Sequence, residues 1–227
     1  MAALARNLYR RTSLPFRVVF RLAEFLRRRR PSQSLAQETT DHYLASHATY
    51  TRGWLNVYGY HRVFDLVRHF PVPADPTTQQ VLSIGPRTEI ELYYLWILFG
   101  FPWKNVTGAD LISTSDKIKL ADMSVDLPFK GNSFDIIVAC HCLEKSRNPD
   151  RTRDEITRVA KPGAWILVGG DRLTDGGSLY RELPIPCRYF KDGVYGFIDF
   201  YKLSLSDIQY MDAASPHGFE IIYRVNK

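Results

Sequence analysis

Apolar and polar positions alternate between two rhythms along this chain. Residues 80–84 (QVLSI) form a short apolar run ended by Gly85 and Pro86, the mark of a buried strand breaking into a turn. Residues 89–99 (EIELYYLWILF) are long enough for a helix and apolar on most of their surface. Residues 106–110 (VTGAD) read as a second strand, and residues 134–139 as the most clearly buried strand of the chain. A helix is predicted over residues 152–160, stopped by Lys161, Pro162 and Gly163, with a strand at 164–170. Such alternation of strands and helices predicts a doubly wound α/β domain with a mostly parallel sheet and helices on both faces. Ligands of these folds bind at the carboxyl ends of the strands, where the N–H groups opening a helix face them. Gly85 would allow a ligand to approach the backbone where no Cβ intervenes.

The rest of the chain divides around this unit. Residues 1–38 read as a basic amphipathic arm and linker, residues 39–79 as a helical lid, and residues 80–227 as the main domain. The lid is dense in rings, with His42, Tyr43, His47, Tyr50, Trp54, Tyr58, Tyr60, His61 and Phe64. Asp41 and the three histidines fit no compact metal-ligand spacing. Cys140, His141 and Cys142 are successive residues whose side chains alternate in direction, so no metal is expected there. Toward the C-terminus, residues 204–225 read as a last crossover helix and a sixth strand, with no seventh strand at its usual place. Residues 194–201 (VYGFIDFY) are a candidate sheet edge.

Charge changes the picture at one end. The chain carries a net +6, yet residues 1–30 hold nine arginines against Glu24 alone, a net +8 that leaves −2 for the remainder. Leu4, Leu8, Phe16, Val19, Phe20, Ala23 and Leu26 alternate with those arginines at helical spacing, and Pro15 divides the segment into two helices. This pattern suits a peripheral helix on an anionic membrane surface. It also suits a helix docked on the domain, an organelle-targeting segment or a nucleic-acid arm. The first two readings carry the most weight, and no nucleic-acid partner is expected. Three cysteines make no disulfide framework, and no apolar run is long enough to span a bilayer. A cytoplasmic protein is the resulting expectation, with peripheral contact to the inner face of a membrane through residues 1–30 as one of the two leading readings of the arm.

Four blocks carry a family resemblance. VLSIGPRTEIE, VTGADL, ADM…LPFKGNSFDIIVACHCLE and EITRVAKPGAWILVGG follow in the order and spacing of class I S-adenosylmethionine-dependent methyltransferases. They resemble the broad small-molecule group with an LPF…SFD block, over residues 80–170. The resemblance implies a Rossmann-like fold and S-adenosyl-L-methionine as cofactor. It implies that Gly85 and Pro86 approach the methionine part, and that Asp110, with Leu111 beside it, holds the ribose hydroxyls. Asp122 would accept from the adenine amino group, with Met123 against the ring and His141 near the methyl donor. Where the family usually has D-x-G-x-G-x-G, this chain has Ser83 for the acid and Arg87 and Glu89 for two glycines. A guanidinium and a carboxylate complement the zwitterionic end of that cofactor. The interval between Asp110 and Asp122 is short for a crossover helix, so a loop is expected there. His141 and Glu144 are the candidate bases. The acceptor would be a small molecule, a sugar or a lipid-linked group. A methyltransferase-like scaffold that binds without turnover is the alternative.

Overall fold

A computed structural model describes residues 1–11, 14–27, 33–34, 58–113, 115–170, 192–214 and 218–227. The chain opens with α1 (Ala2–Arg11) and α2 (Leu14–Arg27), then β1 (Gln33–Ser34) and α3 (Tyr58–Val67). Next come β2 (Val81–Ile84) and α4 (Glu89–Tyr93), which continues as a π-turn over Tyr94–Leu98. There follow β3 (Val106–Asp110), β4 (Ile112–Ser113), β5 (Ile118–Leu120), β6 (Phe134–Cys140), α5 (Pro149–Val159) and β7 (Ala160–Gly170). The chain closes with α6 (Gly193–Tyr201), β8 (Ile208–Asp212) and β9 (Phe219–Arg224). The helix starts follow local chemistry. Thr88 caps α4 by accepting from the Ile90 N–H, and Asn148 caps α5 by accepting from Arg151 with Pro149 at the first turn.

Seven strands form one sheet in the order β5-β3-β2-β6-β7-β9-β8. Its pairings are parallel except for the two made by β9. Alternation along each strand separates two cores. Val81, Ile136 and Val138 point to a face covered by α1, α2, α3 and α4, while Leu82, Ile84, Ile137 and Ala139 point to the face covered by α5 and α6. The expected doubly wound, Rossmann-like architecture is therefore the one observed, with the N-terminal helices added to one face.

Three expectations change. The last crossover helix is α6, not residues 204 onward, and residues 194–201 are this helix rather than a sheet edge. Val194 and Phe197 are buried three residues apart, a helical spacing, whereas Ile208–Asp212 alternates half-buried and exposed side chains as a strand does. The seventh strand is present as β9, inserted antiparallel between β7 and β8. The loop between Asp110 and Asp122 also contains two strands, since β4 pairs antiparallel with β1 and β5 pairs in parallel with β3 through Gly108 and Ile118. A Cβ on Gly108 would lie 2.9 Å from Pro86 Cγ and 3.0 Å from Ile118 Cγ1, so glycine lets β5 and the β2 turn close on β3.

The basic arm is divided near Pro15 as expected, but it belongs to the core. Tyr9 and Phe20 are buried, Tyr9 packs on Phe64 and its hydroxyl lies 2.8 Å from that of Tyr94, and Phe20 stacks edge-on against Tyr94. The Arg6 guanidinium donates to the Leu98 carbonyl at 2.8 Å. Residues 39–57, the first part of the expected lid, lie outside the described residues. The second part, α3, packs Val63, Phe64, Leu66 and Val67 into the same core.

Candidate functional site

At the carboxyl ends of β2, β3 and β6 the chain surrounds a cleft of about 810 Å³, open to solvent. Its floor is the turn after β2. Gly85 has φ +68°, and a Cβ there would lie 2.7 Å from Cys142 Cβ. The glycine is thus required by its own backbone and by Cys142, before any ligand is considered. Arg87 also sits in the left-handed region at φ +60°, a conformation that favours glycine. The Arg87 N–H donates to Asp110 Oδ2 at 2.8 Å, and the Ile112 N–H donates to Asp110 Oδ1 at 3.2 Å. Two backbone amides thus hold one carboxylate at the cleft wall.

Asp122 stands at the next strand end, where its Oδ1 accepts from the Ser124 N–H at 2.8 Å and its carbonyl from Val125 and Asp126. His141 follows β6 with φ +54°, its N–H donating to Gly169 at 2.7 Å. A Cβ on Gly169 would lie 3.4 Å from the imidazole. Gly85, Arg87, Asp110, Leu111, Asp122, Met123 and His141 all line the cleft. Pro86, Glu89 and Glu144 are not among its lining residues. Pro86 is buried beside Gly108. Glu89 is buried and accepts from the Tyr93 hydroxyl. Glu144 is buried in a short turn behind His141.

Lys145, Arg147 and Ser124 also line the cleft, with no signal in the sequence that marks them, as does Cys142, which the sequence marks only as an unsuitable metal ligand. Ser124 Oγ accepts from the Arg147 N–H at 2.9 Å and lies 3.2 Å from Ser146 Oγ, which lies 2.6 Å from Thr152 Oγ1. This hydroxyl chain ties the Asp122 turn to the segment after β6. No local pattern announces it, because its members are far apart in sequence.

A buried acid on α4 meets Ser83 of β2. Glu91 on α4 is buried and accepts from the Ser83 hydroxyl. Burial pushes its carboxyl up to about 8, against the opposing pulls of the Ser83 hydroxyl and Arg87. In an unfolded chain a glutamate loses its proton near pH ~4.3. From about pH 5 to 8 the folded chain therefore keeps a proton that the unfolded chain has released, and stability should fall as pH rises through that window. Glu91→Gln should remove this component of the slope, as urea titrations at pH 5 and 8 will read. An unchanged slope would mean that Glu91 is ionised in the fold.

The strand order, with β9 antiparallel between β7 and β8, is a Rossmann-like fold. Residues 84–168, spanning the end of β2 to β7, match the family model described as a methyltransferase domain. An uncharacterized protein of Methanocaldococcus jannaschii is 37% identical over 68 residues, which is 30% of this chain and 33% of that protein. The matched stretch thus spans about a third of that curated relative. A chain of the Haloferax volcanii complex between the Trm112 methyltransferase activator and its methyltransferase is similar at a TM-score of 0.58 and 14% identity, covering 86% of this chain and 100% of that one. A SAM-dependent methyltransferase from Aquifex aeolicus is similar at a TM-score of 0.50 and 13% identity, covering 72% and 89%. At such identities the likeness is one of fold.

Proposed function

We propose that this protein binds S-adenosylmethionine in the cleft and transfers its methyl group to a small-molecule, sugar or lipid-linked acceptor. The observation that carries the reading is the convergence of the Gly85 turn, Asp110, Asp122 with Met123, and His141 on one cleft, within the stretch that matches a methyltransferase domain. The residues suit that ligand chemically. Asp110 offers the ribose hydroxyls a carboxylate already oriented by two amides. Asp122 offers the adenine amino group an acceptor, with Met123 and Leu127 as apolar walls for the ring. Arg87 answers the ligand carboxylate. When bound, S-adenosylmethionine supplies an electrophilic methyl group that is already activated, which leaves the chain to position and desolvate. His141, at the cleft, is the nearer of the two candidate bases; Glu144 lies behind it.

A binding module without turnover is the second reading. It is favoured by Glu89, one of the two charges that replace glycines in the turn, being buried against Tyr93 rather than at the cleft. Calorimetric titration with S-adenosylmethionine and S-adenosylhomocysteine tests the cofactor: saturable binding is expected, and its absence overturns the enzyme reading and leaves only a scaffold that binds a partner without the cofactor. Formation of S-adenosylhomocysteine in the presence of an acceptor separates the enzyme from the module.

Arg87→Gly gives a sharper test of the turn. Glycine removes the left-handed cost of a side chain at φ +60°, about 1–2 kcal/mol, so thermal stability should hold or rise. Affinity for S-adenosylmethionine should fall, because the guanidinium is lost. Tighter binding by the glycine variant would show that Arg87 is merely tolerated in the turn.

A further inference from the structure

The side of α2 that faces away from the core is the part of the molecule the proposed activity leaves unused. Phe16, Phe20 and Ala23 pack against the core. Leu14, Val19, Leu22, Phe25 and Leu26 are exposed, Phe25 by 68% and Leu26 by 76%. At 3.6 residues per turn these five fall within an arc of about 140°. Pro15 and Val18 share that arc; Arg17 and Arg21 lie outside it, turned toward the protein, with Arg21 buried. The apolar arc is therefore unbroken by charge. Residues flanking it are cationic: Arg10 is exposed near the end of α1, and Arg27, Arg28, Arg29 and Arg30 follow in sequence.

We infer that this face of α2 seats the protein on an anionic lipid bilayer. An apolar helix face bordered by arginines is the arrangement that lies in a membrane interface, and a polybasic cluster is drawn to acidic headgroups. Charge selects this occupant over a second copy of the chain. Pairing two copies through α2 would bring two +8 arms together, like charges in contact, whereas an acidic bilayer neutralises them. The face is distinct from the one the sequence pattern suggested, since Phe16, Phe20 and Ala23 are committed to the core and Leu14, Leu22 and Phe25 take their place. This contact does not depend on the methyl-transfer reading. Among the described residues no helix is long and apolar enough to cross a membrane, so the contact is peripheral.

Removing residues 1–30 is a poor test, because it would strip Tyr9 and Phe20 from the core. Instead, the 227-residue chain is sedimented with vesicles of phosphatidylcholine alone and of phosphatidylcholine mixed with phosphatidylglycerol. Recovery with the acidic vesicles should exceed that with the neutral ones at least about tenfold, and should weaken as salt screens the arginines. Phe25→Asp with Leu26→Asp should lower recovery at least about tenfold with the thermal transition retained. If that pair unfolds the chain, Leu22→Gln with Leu26→Gln is measured in its place, with the same expectation. Failure of the unsubstituted chain to pellet with acidic vesicles at low salt overturns the proposal, as does equal recovery on neutral vesicles. A folded variant that pellets like the parent also overturns it. A lipid-free dimer in sedimentation velocity that these substitutions dissolve would assign the face to a second copy, against the inference.

Discussion

Asp110→Ala is expected to weaken S-adenosylmethionine binding by about ten- to a hundred-fold, the loss that follows when hydrogen bonds to a charged acceptor worth roughly 1.5–3 kcal/mol are removed. The carboxylate reaches the end of β3 already held by the Arg87 and Ile112 amides at 2.8 and 3.2 Å, so its orientation is set before a ligand arrives. Alanine removes the ligand's acceptor and also the acceptor of the Arg87 and Ile112 amides, while the Gly85 N–H keeps its bond to the Ala109 carbonyl. Asp110→Asn separates these contributions, since it keeps an acceptor oxygen for one amide while removing the charge. Its affinity should fall between those of the parent and the alanine variant. Calorimetry reads both values. Unchanged affinity in a folded Asp110→Ala protein would remove Asp110 from the site and leave the cleft without its principal polar anchor.

Phe20→Ala should destabilise the chain by about 3–5 kcal/mol, the usual cost of truncating a buried phenylalanine. Phe20 is 1% exposed and packs on Tyr93 and Tyr94, the two residues where α4 passes into its π-turn. Leu22 lies on the same helix and is 43% exposed. Leu22→Ala should change stability by no more than about 0.5 kcal/mol, as surface substitutions do. Urea unfolding of both variants reads the difference. Equal small effects would mean that α2 does not dock as described and that the arm hangs free of the domain.

Much of the main domain was legible from the chain because its signals are local. The strand at β2 is an apolar run closed by Gly85 and Pro86, β6 is a longer run, and Lys161–Gly163 marks the end of the helix, although the structure takes these three residues into β7, which begins at Ala160. Gly85, Arg87, Asp110, Leu111, Asp122, Met123 and His141 sit at strand ends or just beyond, and a doubly wound sheet brings strand ends together. That is why a list read from sequence maps onto one cleft. The C-terminal quarter was harder. An aromatic stretch such as VYGFIDFY satisfies both a strand and a helix, and its choice of α6 follows from which side chains the sheet can cover.

What the sequence determined by itself was the succession β2, α4, β3, β6, α5 and β7, the polar strand ends and the concentration of arginine in the first thirty residues. Each follows from the period and chemistry of neighbouring residues. The tertiary structure decided which way side chains face. It turned Glu89 inward to Tyr93 and brought Glu91 to Ser83. It joined Ser124 to the segment after β6, and it put Phe20 in the core while leaving Phe25 and Leu26 outside. Those outcomes depend on partners tens of residues away, and burial of one helix face against them, rather than propensity, selects the orientation.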